Sequence, residues 1–161
     1  MGAMFATSVA GWTPVAHADG ASALANSSYH GLRNGAVTDV TAVTEIFIGG
    51  EATSSTVNRM ALRRSSTNVG TPTNVAPGPM GQSGLTASQQ QFVLATTGPT
   101  IASTTHIGTY SLNTFGGVIR LAMTPGQEPM SVGTAAPNAE FILDSISGTG
   151  VVSTNLIFEA K

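Results

Sequence analysis

The sequence contains no cysteine and a single lysine, Lys161. Without thiols there are no disulfides, no thiolate zinc sites and no cysteine nucleophile. The redox compartment stays open on this count. Charge is scarce throughout. Lys and Arg number six, Asp and Glu eight, and charged residues make up 9% of the chain, against about 25% in an ordinary domain. A net charge of −2 with five scattered arginines gives no basic footprint, so no nucleic acid partner is expected. No stretch approaches the roughly 18 apolar residues of a membrane helix, so no membrane partner is expected either. The scarcity of charge also argues against disorder. Disordered chains combine high charge with low hydrophobicity, and here 41% of the residues are hydrophobic.

In place of charge the chain carries 22 Thr, 16 Ser, 21 Ala and 19 Gly. Its 161 residues suit one domain. Residues 1–35 hold the triplet Ala16-His17-Ala18, which mimics a signal-peptidase site. No Lys or Arg precedes Arg33, and Thr7, Ser8, Gly11, Thr13 and Pro14 break the apolar stretch, which argues against a secretory signal. The segment has no sustained period of 2 or 3.6. It carries apolar anchors at Met4, Phe5, Val9, Trp12 and Val15. It reads as an extended N-terminal arm laid over a neighbouring subunit, with 36–161 as a single β domain.

From Asp39 the pattern turns to strands. Asp39–Ile48 alternates and ends at Gly49-Gly50. Thr56–Arg64 fits a strand or a helical stripe, and the surrounding Ser and Thr favour the strand. Residues 65–86, with Pro72, Pro77 and Pro79, read as a long surface loop. Thr86–Gln91 suits one helical turn and Phe92–Ala95 a short strand. His106–Leu112 and Gly117–Met123 read as strands, with a turn at Thr124–Gln127. Ala139–Asp144 and Val152–Ala160 alternate clearly, and Ser147–Gly150 joins them as a tight, hairpin-like connection. Short strands between turn signals, with almost no helix, predict an all-β fold: an antiparallel β-sandwich or barrel, jelly-roll-like, with the arm attached.

Candidate chemistry is sparse. His17, His30 and His106 form no HExxH motif and no i, i+4 pair, so they read as surface or hydrogen-bonded histidines rather than metal ligands. Glu140 and Asp144 share one strand face and read as a solvated edge. Gly81-Gln82-Ser83-Gly84 is one residue too short for a nucleophile elbow. Gly148-Thr149-Gly150 lacks the third glycine of a dinucleotide fingerprint. No catalytic residue, metal or cofactor is assigned. Arg59, Arg63 and Arg64 form the one local cluster of charge. They read either as partners for acidic groups on another subunit or as the solvated side of one element. With Met4, Phe5 and Trp12 they are the candidate partner-binding residues.

Two segments carry a resemblance. One is the run Ser55–Ser66 followed by Gly70-Thr71-Pro72-Thr73. The other is Asn113–Arg120 followed by Pro125-Gly126-Gln127. Together, over about a third of the chain, they resemble small virion proteins of tailed bacteriophages, of the capsid decoration or cement kind. The resemblance implies an all-β domain with an arm, lying on the capsid surface of the virion and clamping major capsid protein subunits together. It brings no catalytic residues. A homo-oligomer is expected. The alternatives are another virion component (tail, fibre or shell protein) or a secreted carbohydrate-binding or adhesive β-domain.

Overall fold

The computed structural model describes residues 2–17, 29–64, 73–81, 84–93, 106–135 and 140–161. These residues form twelve strands and, among them, no helix. In chain order the strands are β1 (Ala3–Trp12), β2 (Tyr29–Arg33), β3 (Val40–Glu51), β4 (Val57–Arg64), β5 (Thr73–Val75), β6 (Gly78–Pro79), β7 (Gln90–Val93), β8 (Gly108–Asn113), β9 (Phe115–Ala122), β10 (Met130–Val132), β11 (Glu140–Ser147) and β12 (Val152–Ala160). Every ladder between these strands is antiparallel. Sheet A runs β10-β3-β12-β1-β6, with β9 on the same side of β3 as β10. Sheet B runs β5-β7-β2-β11-β4-β8. The two sheets pack face to face as the expected β-sandwich.

Alternation decides which residues meet in the middle. Sheet A turns Phe5, Val43, Ile46, Ile48, Val152, Leu156 and Phe158 inward. Sheet B contributes Leu32, Met60, Leu62, Phe141 and Leu143. Phe5 and Phe158, opposite each other on β1 and β12, stack with ring centroids 5.7 Å apart. β12 is a central strand between β3 and β1, and Phe158 is wholly buried.

One end of the sandwich is closed by backbone contacts. Thr114, at the corner where β8 of sheet B turns into β9 of sheet A, donates its N–H to Thr56 O (2.8 Å) and accepts from Ala52 N–H (2.9 Å). The buried amide of Asn58 holds both polar groups of Gly150, donating to its carbonyl at 2.8 Å and accepting from its N–H at 3.0 Å. Gly148 has φ +85°, and a Cβ there would lie 2.3 Å from Val57 O. Only glycine meets both conditions.

Four expectations are corrected. Residues 3–12 and 29–33 are strands inside the two sheets, not an arm outside a domain that begins at 36. β1 pairs β12 on one side and β6 on the other, and Phe5 and Trp12 belong to the core. Residues 18–28 lie outside the described residues. The Ser147–Gly150 connection is not a hairpin: β11 lies in sheet B and β12 in sheet A, so the chain crosses between layers there. Part of the 65–86 loop is β5 and β6, and the helical turn expected at 86–91 gives way to an irregular segment and β7. Residues 65–72, 82–83 and 94–95 lie outside the described residues.

Removal of residues 2–12 is therefore expected to unfold the chain rather than release a free domain. The lost strand exposes β12 and removes Phe5 and Trp12 from the core. Phe158→Ala is expected to cost about 3–5 kcal/mol in urea unfolding, as for a buried aromatic. A folded truncated chain, or a loss below about 0.5 kcal/mol, the range of surface sites, would contradict this placement of β1 and β12.

Candidate functional site

The six candidate residues separate into inner and outer groups. Phe5 and Trp12 are buried in the chain's own core and are not available to a partner. Met4 is half-buried on the outer face of sheet A, opposite Glu159. Arg59 is exposed, next to Ser111 of β8. Arg64 is half-buried over the ring of Phe141, 4.8 Å from its centroid, and donates to the carbonyl of Met130. Burial lowers its pKa. Arg63 is wholly buried and forms an ion pair with Asp144, Nε to Oδ1 3.0 Å. The three arginines thus do not act as one surface cluster, because strand alternation sends Arg63 to the opposite face from Arg64.

The Arg63–Asp144 pair is the centre of a polar group on the outward face of sheet B. β11 is continuously buried from Glu140 to Ile146, so both of its faces are covered. The solvated edge expected for Glu140 and Asp144 is corrected: both are wholly buried. Register places Glu140 opposite Arg33, Asp144 opposite Tyr29, and Ile142 opposite Arg63. Tyr29 is buried, and its pKa rises to about 12 through desolvation and the nearby charge of Glu140. Beyond Tyr29, Ala16 forms a parallel bridge to Ser145, and His17 donates its backbone N–H to Ser145 O at 2.9 Å. Burial lowers the His17 pKa; the charge of Arg63 adds to that shift and a hydrogen bond with the Val15 backbone opposes it.

A second polar group lies in the core itself. His30, on the inner face of β2, places Nε2 3.0 Å from Thr7 Oγ1 and Nδ1 2.9 Å from Thr154 Oγ1. Trp12 Nε1–H donates to Thr154 Oγ1 at 3.1 Å. Thr7 Oγ1 donates to Leu156 O at 3.5 Å. Burial pushes the His30 pKa down to about 3. Near neutral pH Tyr29 stays a protonated phenol and His30 a neutral imidazole, so His30 serves as a fixed hydrogen-bonding group. Among the described residues no group of three or more His, Asp or Glu gathers to hold a metal.

The open surface is on sheet A. Its outer face carries Glu45 and Arg120, joined by two hydrogen bonds, Nε to Oε1 2.7 Å and Nη2 to Oε2 3.1 Å. That bond holds the Glu45 carboxyl below its ordinary pKa. Phe115 and Val118 are each 62% exposed beside it. Sequence reasoning passed over Asp144, Glu140, Tyr29 and His30 as functional groups. The signal present was charge set inside apolar runs, Met60-Ala61-Leu62-Arg63 and Phe141-Ile142-Leu143-Asp144.

Removing one partner of the buried pair leaves the other charge uncompensated. Arg63→Leu and Asp144→Leu are each expected to cost about 3–5 kcal/mol in urea unfolding, with the double variant recovering most of the loss. Single variants within about 0.5 kcal/mol of wild type, the range of surface sites, would return Arg63 to a partner contact. His30 gives a pH signature. Its folded pKa lies below the unfolded value near 6.5, so the unfolded state binds the extra proton between about pH 6.5 and 3. The stability it carries is complete above 6.5 and falls as the pH drops through that window, by up to about 1.4 kcal/mol per pH unit. His30→Gln is expected to be less stable at pH 7 and to flatten the decline between pH 6 and 4. Parallel curves for the two proteins would contradict the assignment.

No protein-family model matches the chain, and no curated protein is similar to it in sequence.

Proposed function

We propose that the chain is a non-enzymatic structural protein of a virion, of the capsid decoration or cement kind, which binds major capsid protein subunits through uncharged β-domain surfaces. The observation that carries this reading is where the few charges go. Arg63, Asp144 and Glu140 are buried, and Arg120 is paired with Glu45. Beside the charges that stay exposed, Glu51, Arg59 and Lys161, the surface offers a neighbour hydroxyls, small residues and exposed apolar side chains such as Phe115, Val118, Met130 and Val132. Such a surface meets a partner with few charges to desolvate, and interface cores are depleted in lysine and glutamate. The segments that carry the resemblance to phage virion proteins include β4 and most of β9. Because β1 belongs to the domain's own core, the contact is assigned to the sandwich surface rather than to an arm.

The test is electron microscopy of the particle that encodes the chain, labelled with an antibody against it. Label on the icosahedral shell is the expected result. Attachment by apolar burial and neutral hydrogen bonds should also survive washing in about 1 M sodium chloride, where the screening length is near 3 Å. Label on a tail or fibre would assign another virion role. Absence from the particle, with binding to immobilised glycans, would assign a secreted carbohydrate-binding domain.

A further inference from the structure

Asn34 is the one asparagine in the sequence that glycine follows. It stands directly after β2, where the chain leaves sheet B on its way to β3 of sheet A. The residue is buried, and its side-chain amide makes all four of the hydrogen bonds open to it. Oδ1 accepts from Thr41 Oγ1 at 2.6 Å and from Ser131 Oγ at 3.2 Å. Nδ2 donates to the carbonyls of Gly133 at 2.9 Å and Asp39 at 3.2 Å. Thr41 belongs to β3 and Ser131 to β10, so this amide fastens the end of a sheet B strand to two strands of sheet A. The two carbonyls require a donor, and a carboxylate has none.

The glycine has a reason of its own. A Cβ at Gly35 would lie 1.9 Å from Ser88 O, so a larger residue fits only if that backbone moves. Gly35 N–H and Ala36 N–H both donate to Asp39 Oδ2, each at 2.9 Å, which closes residues 34–39 into a loop. Two separate packing demands thus place side by side a pair that is chemically labile. With no side chain on residue 35, its backbone nitrogen is unhindered in attacking the Asn34 carboxamide. A bond forms from that nitrogen to Cγ and the Cγ–Nδ2 bond breaks. Nδ2 leaves as ammonia with the proton given up by the Gly35 nitrogen. Water then opens the five-membered imide at either carbonyl and leaves aspartate or isoaspartate at 34.

We propose that Asn34–Gly35 is a self-modification site that the closed loop keeps unreacted, and that its deamidation, once the loop is open, releases the clasp between the sheets irreversibly. The closed loop opposes the reaction at both atoms. Attack requires the Gly35 nitrogen to give up its proton, and the Asp39 carboxylate beside it disfavours the negative charge left there. Four hydrogen bonds hold the carboxamide, so it does not turn its carbon onto that nitrogen without breaking them. After the reaction the clasp does not re-form. Aspartate at 34 sets a carboxylate oxygen against the carbonyls of Gly133 and Asp39 in a buried site, which is costly. Isoaspartate adds a backbone atom after β2 and shortens the side chain that must reach Thr41 and Ser131.

The test needs only the purified chain, so its failure would leave the virion reading untouched. Native chain and chain unfolded in guanidinium chloride are held at mildly alkaline pH. Peptide mass spectrometry follows ammonia loss and water gain at each asparagine. In guanidinium Asn34 is expected to convert ahead of Asn58, Asn113 and Asn155. In the native chain it should convert at least about tenfold more slowly, because reaction waits on local opening. Asp39→Ala removes the carboxylate that closes the loop. It is expected to speed conversion in the native chain, well below that variant's own Tm, and to leave the guanidinium rate unchanged. Asn34→Asp reproduces one product directly and is expected to lower Tm by about 5 °C or more, or to prevent folding, through an unpaired buried charge. Equal rates in the native and unfolded chain, a native Asp39→Ala rate no faster than wild type, or a wild-type Tm for Asn34→Asp would overturn the proposal.

Discussion

His30 reaches from the inner face of sheet B to two threonines on adjacent strands of sheet A, and its bonds assign a single protonation state. Trp12 donates to Thr154, whose hydroxyl donates to Nδ1; Nε2–H donates to Thr7, whose hydroxyl donates to the Leu156 carbonyl. In this arrangement every donor has an acceptor, with the proton assigned to Nε2. A second ring proton would set a donor against the Thr154 hydroxyl and place a charge in a dry core. The network ties β2 to both β1 and β12. Moving any of the three strands by one residue would turn its polar member out of the core. Apolar packing around Phe5 and Phe158 supplies area. The imidazole adds a condition on register that area alone does not impose.

The two sheets face different conditions outside the core. The centre of sheet B is covered on both faces, so its outward polar residues are kept from water. Arg63 and Asp144 answer this by pairing, and Tyr29 by remaining a protonated phenol. Sheet A is covered on one face only. Along β12, buried positions alternate with half-buried Ser153, Asn155 and Ile157. This difference explains how so few charges are used. Four of the chain's five arginines sit in or beside β2 and β4 of sheet B, and the remaining one, Arg120, lies on sheet A with Glu45.

The same difference sets what could be read from the sequence. Val152–Ala160 and Gly117–Met123 were legible because one face meets the core and the other meets water, so apolar and polar residues alternate. On β11 the same rule misled. Glu140 and Asp144 fall on the polar beat, and nothing local reveals that this beat is covered. β1 was hidden for the opposite reason. Its inward positions include Thr7, and its outward ones include Ala6, Ala10 and Gly11, so the hydrophobic contrast that marks a strand is missing. Only the distant His30 explains an inward threonine. Glycines at 148 and 150 announced a reversal correctly. Turn chemistry does not say which sheet receives the next strand, and here the chain crosses to the other layer.

Low charge has a cost in solution. A net charge near zero together with exposed valines and a phenylalanine favours association. The chain does not spread that tendency evenly. β6 closes one edge of sheet A with a proline, and the buried ion pair keeps the centre of sheet B from offering polar groups to a neighbour. Glu45 screens Arg120 on the remaining face. Among the described residues, exposed apolar side chains lie on the β9–β10 side, at Phe115, Val118, Met130 and Val132, and also at Val37, Val57 and Met80. With so few charges, the balance between these apolar groups and the hydroxyls around them sets how readily the surface associates.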